Sequence, residues 1–158
     1  MELSFEEIAV YLSCGGKANR ELRRRTMELA AEAPLKPRGI FLRDGDKFLL
    51  CGTVGGAFDR WQRRLAASGA ADTLIAQSIG AAAVEKTMDA LEAEIKATLA
   101  GGETLQPRRS PGYGNMPLAM NREIIERLDA AKRIGVSFTD SMTLLPSKSV
   151  TAVCEVKK

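Results

Sequence analysis

The chain has 158 residues, 45% of them hydrophobic and 27% charged, which is enough apolar material to bury a core without a metal or disulfide staple. A net charge of +3 from dispersed cations, with only 5% aromatic residues, lacks the basic stripe and stacking rings of a nucleic-acid binder, and no apolar run approaches a membrane span. Histidine is absent, which excludes Ser-His and Cys-His catalysis and imidazole metal ligation.

The cysteines, Cys14, Cys51 and Cys154, form no C-x-x-C pair, so zinc and thioredoxin-like readings fail. An odd count points to a reducing compartment, and all three are expected to be ordinary buried or half-buried residues. The acidic start, Met1 to Glu7, has no apolar leader-like stretch, so a cytoplasmic protein with no membrane partner is expected.

Ser4 and Glu7 form an S-x-x-E capping box, predicting a short helix through Ile8, Tyr11 and Leu12 that Cys14-Gly15-Gly16 ends. Asn19 is a second N-cap, and Leu22, Thr26, Leu29 and Ala33 make one helical stripe, stopped by Pro34 and Pro37. Ile40 to Arg43, Asp44-Gly45-Asp46 and Lys47 to Val54 predict a β-hairpin, with the Asp-Gly pair supplying the turn. Gly52-Thr53-Val54-Gly55-Gly56 lacks the Gly-Lys-Ser/Thr ending of a phosphate loop and reads as a strand-to-helix turn.

Phe58 to Ala67 reads as a helix around Trp61 and Leu65. A longer one, from about Ala71 to Ala100, carries Val84, Met88, Leu91, Ile95 and Leu99 at helical spacing up to Gly101-Gly102. Glu85 on it is expected to be structural or paired. Glu103 to Pro117, with Pro107, Pro111, Pro117, Gly112 and Gly114, reads as an irregular but ordered loop. Asn121 is expected to cap a helix through Ile124, Ile125, Leu128 and Ala131, ending near Gly135. The tail from Val136 to Val156 reads as strands broken at Pro146. The pattern predicts one α+β domain over residues 1–158, a mostly antiparallel sheet packed with helices.

The loop Arg108-Arg109-Ser110-Pro111-Gly112-Tyr113-Gly114-Asn115-Met116-Pro117 carries the chemistry. Gly112 and Gly114 permit positive φ and close approach of a ligand, and Pro111 ahead of Gly112 suits a type II turn. Arg108 offers a planar fork for a carboxylate, and Tyr113 an aromatic face and a hydroxyl. The bland alternative is a rigid connector whose arginine pairs with a nearby carboxylate. Arg109 is expected to be a solvated charge.

This run, R-x-S-P-G-Y-G-x-x-P, resembles the activation domain of cobalamin-dependent methionine synthase. So do the helix end at Leu128-Asp129, Ile134-Gly135-Val136-Ser137-Phe138-Thr139, and the closing Leu145-Pro146-Ser147-Lys148-Ser149-Val150-Thr151. Val10-Tyr11-Leu12 with Gly15-Gly16-Lys17, Gly52 to Gly55, and Ile79 to Glu85 are similar to short stand-alone members. The resemblance implies S-adenosylmethionine bound for reductive methylation of cobalamin held by a partner, with an electron from a donor such as a flavodoxin-like protein. Arg108 would hold the methionyl carboxylate, Ser110 would give backbone contacts, and Gly112 and Gly114 would allow close approach. Tyr113, the residue expected to act in catalysis, would sit near the methyl group. The partner of the ligand amine stays unassigned. A non-catalytic corrinoid-docking module or an S-adenosylmethionine sensor would need the same loop.

Overall fold

The computed structural model describes residues 1–13 and 17–158; Cys14, Gly15 and Gly16, expected to end the first helix, lie outside the described residues. Helix α1, Phe5–Ala9, opens on the expected reciprocal capping box of Ser4 and Glu7, and it is shorter than the apolar spacing suggests. Tyr11 and Leu12 follow in a turn whose amides donate to the Ile8 and Ala9 carbonyls. Helix α2, Arg20–Glu32, is capped by the Asn19 side chain, which accepts from the Leu22 amide, and it buries Thr26 and Leu29.

Strands β1, Arg38–Asp44, and β2, Lys47–Thr53, form the hairpin. Asp44 pairs with Lys47, so Asp44 belongs to the strand and the two-residue loop is Gly45-Asp46. Gly45 alone takes positive φ, at 64°, which is the II′ arrangement with glycine first. Helix α3, Gly56–Leu65, starts directly after Gly55, whose φ of 90° makes the strand-to-helix turn. Helix α4, Ala70–Thr98, is the longest element. A Cβ at its Gly80 would stand 2.7 Å from the Phe58 ring, so the close packing of α3 on α4 requires glycine there.

The expected irregular loop contains a short strand, β3, Thr104–Leu105, and Arg109 bridges Val153. Helices α5, Met120–Leu128, and α6, Ala130–Ile134, replace the single helix expected, because Asp129 takes a left-handed conformation (φ 52°) that breaks the ladder. Asp is among the few side chains that tolerate this region. Asn121 is not the cap: it sits inside α5 with its side chain buried. Strands β4, Ser137–Phe138, β5, Leu144–Leu145, and β6, Ser149–Lys157, complete the chain, with Pro146 between the last two as expected.

The main sheet runs β1-β2-β6-β3 and is antiparallel throughout; β4 and β5 pair separately. Both faces of the sheet are covered, which is why β2 reads as a nearly continuous apolar run rather than an alternating one. Phe48 and Leu50 of β2 pack with Met88, Leu91 and Ile95 of α4. Leu49 and Cys51 pack with Ile124, Ile125 and Leu128 of α5. The other half of α4, through Ile75 and Ile79, buries against α1, α2 and α3. Cys51 and Cys154 are buried free thiols on opposite faces, and burial pushes the Cys51 thiol up to about 12. Among the described residues no helix is long and apolar enough to cross a membrane.

Candidate functional site

The loop after β3 turns as its residues dictate. The Tyr113 amide donates to the Ser110 carbonyl at 3.3 Å across Pro111 and Gly112, and Gly112 has φ 91°, which is the expected type II turn. A second turn follows, with the Met116 amide donating to the Tyr113 carbonyl at 3.2 Å and Gly114 at φ 60°. The Gly112 amide also donates to the Met116 carbonyl at 2.9 Å, so the bend is closed on itself. Tyr113 is left 77% exposed at its tip.

Arg108, at the foot of this loop, reaches across to α4. Its Nη1 donates to Asp89 at 2.8 Å and to Glu92 at 3.0 Å, and its Nη2 donates to Glu85. The three acids are one row on α4, at helical spacings of four and three. Burial works against the guanidinium charge, but the hydrogen bonds to Asp89, Glu85 and Glu92 outweigh it and raise Arg108 above the usual arginine range. Nε–H and the second Nη2–H remain without a partner among the described residues. The acids also reach Tyr11, whose hydroxyl is raised first by burial and then by Glu85 and Asp89. Arg109 pairs with Glu155 at 3.0 Å, both about half exposed, as expected of a solvated charge.

Arg108 and Glu85 line a cleft of about 370 Å³, within the roughly 300–1,000 Å³ typical of small-molecule sites. Arg108, Ser110 and Tyr113 of the expected site are on its walls, together with Glu85, Asn121, Leu144 and Thr151. Gly112 and Gly114 are not on the walls; they shape the turns that present Tyr113. A larger groove of about 670 Å³ lies between the N-terminal residues, Met27 and Leu35. Its cation, Lys86, is already engaged by the Glu2 carbonyl and the Glu7 carboxylate, which leaves it little to offer a ligand.

The floor of the cleft is the outer edge of β6. Val153 exchanges both main-chain hydrogen bonds with Arg109, at 2.8 and 2.9 Å. Main-chain groups alternate sides along a strand, so Thr151, two residues earlier, presents its N–H and C=O to the same edge. The loop has left the sheet by then. Neither group finds a partner among the described residues, although Thr151 is only 2% exposed. Buried main-chain groups are nearly always paired, so this pair marks a place for a ligand or ordered water. Beneath it, the Thr151 hydroxyl donates to Asn121 Oδ1 at 2.6 Å and Asn121 Nδ2 donates to the Met142 carbonyl at 2.9 Å.

Among the described residues no group of acidic or sulfur side chains is arranged to hold a metal ion. Glu85 and Thr151 were not singled out from the sequence as ligand residues. Glu85 has one available signal, its place in a carboxylate row on a helix; Thr151 closes the Leu145 to Thr151 run of the resemblance, but strand order alone leaves its main chain without a partner.

No protein-family model matches the chain, and no curated protein does. Among solved structures the chain is similar to the crystal structure of the MetH reactivation domain bound to AdoHcy. The TM-score is 0.69 at 17% identity, over 98% of this chain and 70% of that one. The likeness shows the fold: α+β, a curled antiparallel sheet packed with helices, as in that reactivation domain.

Proposed function

We propose that the chain is an S-adenosylmethionine-binding activation domain that serves a cobalamin-dependent methionine synthase, the cobalamin being carried by a partner. The observation that carries this reading is the content of one cleft: a guanidinium with unused donors, a carboxylate beside it, and an unpaired main-chain edge. An α-amino acid zwitterion needs the first two, and a purine, with a donor and an acceptor side by side, suits the third. The fold likeness to a domain bound to AdoHcy supports the same ligand class.

In this reading the unused Nε–H and Nη2–H of Arg108 take the ligand carboxylate, and Glu85, already at the cleft, takes its ammonium. The Thr151 N–H and C=O take the adenine edge. Tyr113, exposed at the rim, covers the sulfonium side and meets the partner. Ser110 contributes main-chain contact. When bound, S-adenosylmethionine supplies a methyl group that, with one electron, converts cob(II)alamin to methylcobalamin and releases S-adenosylhomocysteine. The chain's contribution is positioning. It has no histidine to offer cobalt as an axial ligand; in this reading a partner holds the corrinoid, and a donor such as a flavodoxin-like protein supplies the electron. In this reading the protein works in the cytoplasm, beside the corrinoid enzyme it serves.

The test mixes the protein with S-adenosylmethionine, a reductant and an inactive cob(II)alamin methionine synthase, and follows the visible spectrum. Appearance of methylcobalamin only when the protein is present supports the proposal. Binding of S-adenosylmethionine without spectral change turns the reading to a sensor or docking module, and no binding at all refutes it.

A further inference from the structure

The row Glu85, Asp89 and Glu92 sets three carboxylates against one guanidinium, each of them hydrogen-bonded to Arg108. The wall behind the arginine therefore carries two negative charges in excess. Neighbouring cations do not offset it. Lys86 is held by Glu7 and the Glu2 carbonyl, and Arg109 by Glu155. Lys96, one turn past Glu92 on α4, makes no ion pair with the row among the described residues.

Tyr11 reports the sign of the field. It lines a small pocket of about 160 Å³ together with Glu85 and Asp89. After burial, Glu85 and Asp89 act most strongly on its hydroxyl and both raise it, while Arg108 lowers it and acts least. The guanidinium thus leaves the carboxylates undercompensated in the space around the row.

That surplus bears on what the proposed reaction does to the ligand. S-adenosylmethionine brings one carboxylate, one ammonium and one sulfonium. The ammonium balances the ligand's own carboxylate, so the sulfonium is the charge left over to face the row. When the S–CH3 bond breaks, its electron pair stays on sulfur and the product is a neutral thioether. S-adenosylhomocysteine has no surplus cation for a wall that calls for one.

We propose that the row makes the cleft prefer S-adenosylmethionine to S-adenosylhomocysteine, with Asp89 as a specificity-determining residue; the inference rests on the S-adenosylmethionine reading of the cleft. Glu85 meets the ammonium and Glu92 anchors Arg108, and both ligands need these two contacts alike. Asp89 is not on the cleft walls, so it acts on the ligand through its charge. At 70% exposure that charge is partly screened, and its share of the preference is modest. The same preference clears the site after each transfer, because the ligand loses its surplus charge in the step that gives up its methyl group.

Calorimetric titration of the full chain with each ligand tests this on wild type, D89N and D89K. Wild type at low salt is expected to bind S-adenosylmethionine about five- to tenfold more tightly than S-adenosylhomocysteine. The ratio of the two Kd values is expected to fall about twofold in D89N and about fivefold in D89K. It should also shrink in wild type between about 0.01 and 1 M salt, as the screening length drops from about 30 to about 3 Å. A purely structural role for Asp89 weakens both ligands equally and leaves the ratio unchanged, which overturns the proposal. A preference that survives both D89K and high salt overturns it too, and traces instead to the aromatic face of Tyr113. Binding of neither ligand refutes the S-adenosylmethionine reading itself, and this inference with it.

Discussion

Arg108 and Glu92 meet at 3.0 Å with 18% and 17% of their side chains exposed, while Asp89, on the same guanidinium, is 70% exposed. Glu92 is thus the fixed anchor of the arginine, and Asp89 and Glu85 are the contacts that solvent or a ligand can replace at small cost. A shielded arginine with one deep anchor keeps its place while its outer donors exchange partners.

On this basis Arg108→Ala is expected to raise the Kd for S-adenosylmethionine about 10- to 100-fold, the loss of one charge-assisted contact. Calorimetric titration measures it. Arg108→Lys should recover little, since an ammonium cannot serve Glu92 and present a planar fork at the same time. Unchanged affinity in Arg108→Ala would remove the residue from the site.

Asn121→Ala takes away the acceptor of the Thr151 hydroxyl and the donor to the Met142 carbonyl. With Asn121 5% exposed and Thr151 2% exposed, the stranded groups are poorly hydrated. A loss of about 1–3 kcal/mol in unfolding free energy is expected by urea denaturation. A change under about 0.5 kcal/mol would show that water replaces the amide freely.

Gly112→Ala places a side chain at φ 91° and 3.2 Å from the Leu118 side chain. Strain of about 1–3 kcal/mol falls on an exposed loop, so the bend should rearrange before the core is affected. The expected outcome is weaker ligand binding with an almost unchanged Tm. A large drop in Tm with normal binding would contradict it.

Glu103 accepts from Arg43 and from the Ala100 amide, and these contacts bring its carboxyl down to about 2 from an ordinary 4.5. A depressed folded value stabilises above the unfolded pKa. The contribution is therefore full above about pH 4.5 and fades as pH falls toward 2. Glu103→Gln should lower stability at pH 7, and the gap between variant and wild type should narrow between pH 4.5 and 3 in parallel denaturant titrations. A gap independent of pH would argue that packing, not charge, is what the variant loses.

The parts of this structure that sequence reading captured are local ones. The Ser4 and Glu7 box, the Asn19 cap and the Pro111-Gly112 turn depend on residues three or four apart, and each formed as expected. Asn121 departs from its expected capping role because an asparagine ahead of an apolar run has the pattern of a cap, whereas here it lies inside α5. Its actual partner, Thr151, lies 30 residues on, across the cleft floor. The Arg108 and Glu85 pair spans 23 residues and needs α4 and the loop to be placed first. The Arg108 loop could be singled out by composition, but the wall facing it is a product of strand order. The fold class followed from patterning and from the resemblance, and the likeness in structure bears it out.

Strand β6 is only part-paired on one flank: β3 and Arg109 cover it from Val153 onward, and at Thr151 the coverage stops. A molecule seated there becomes, in effect, the missing length of the neighbouring strand. Occupancy of the cleft should therefore be readable as slowed deuterium uptake at the Thr151 amide, in the middle of an otherwise protected ribbon.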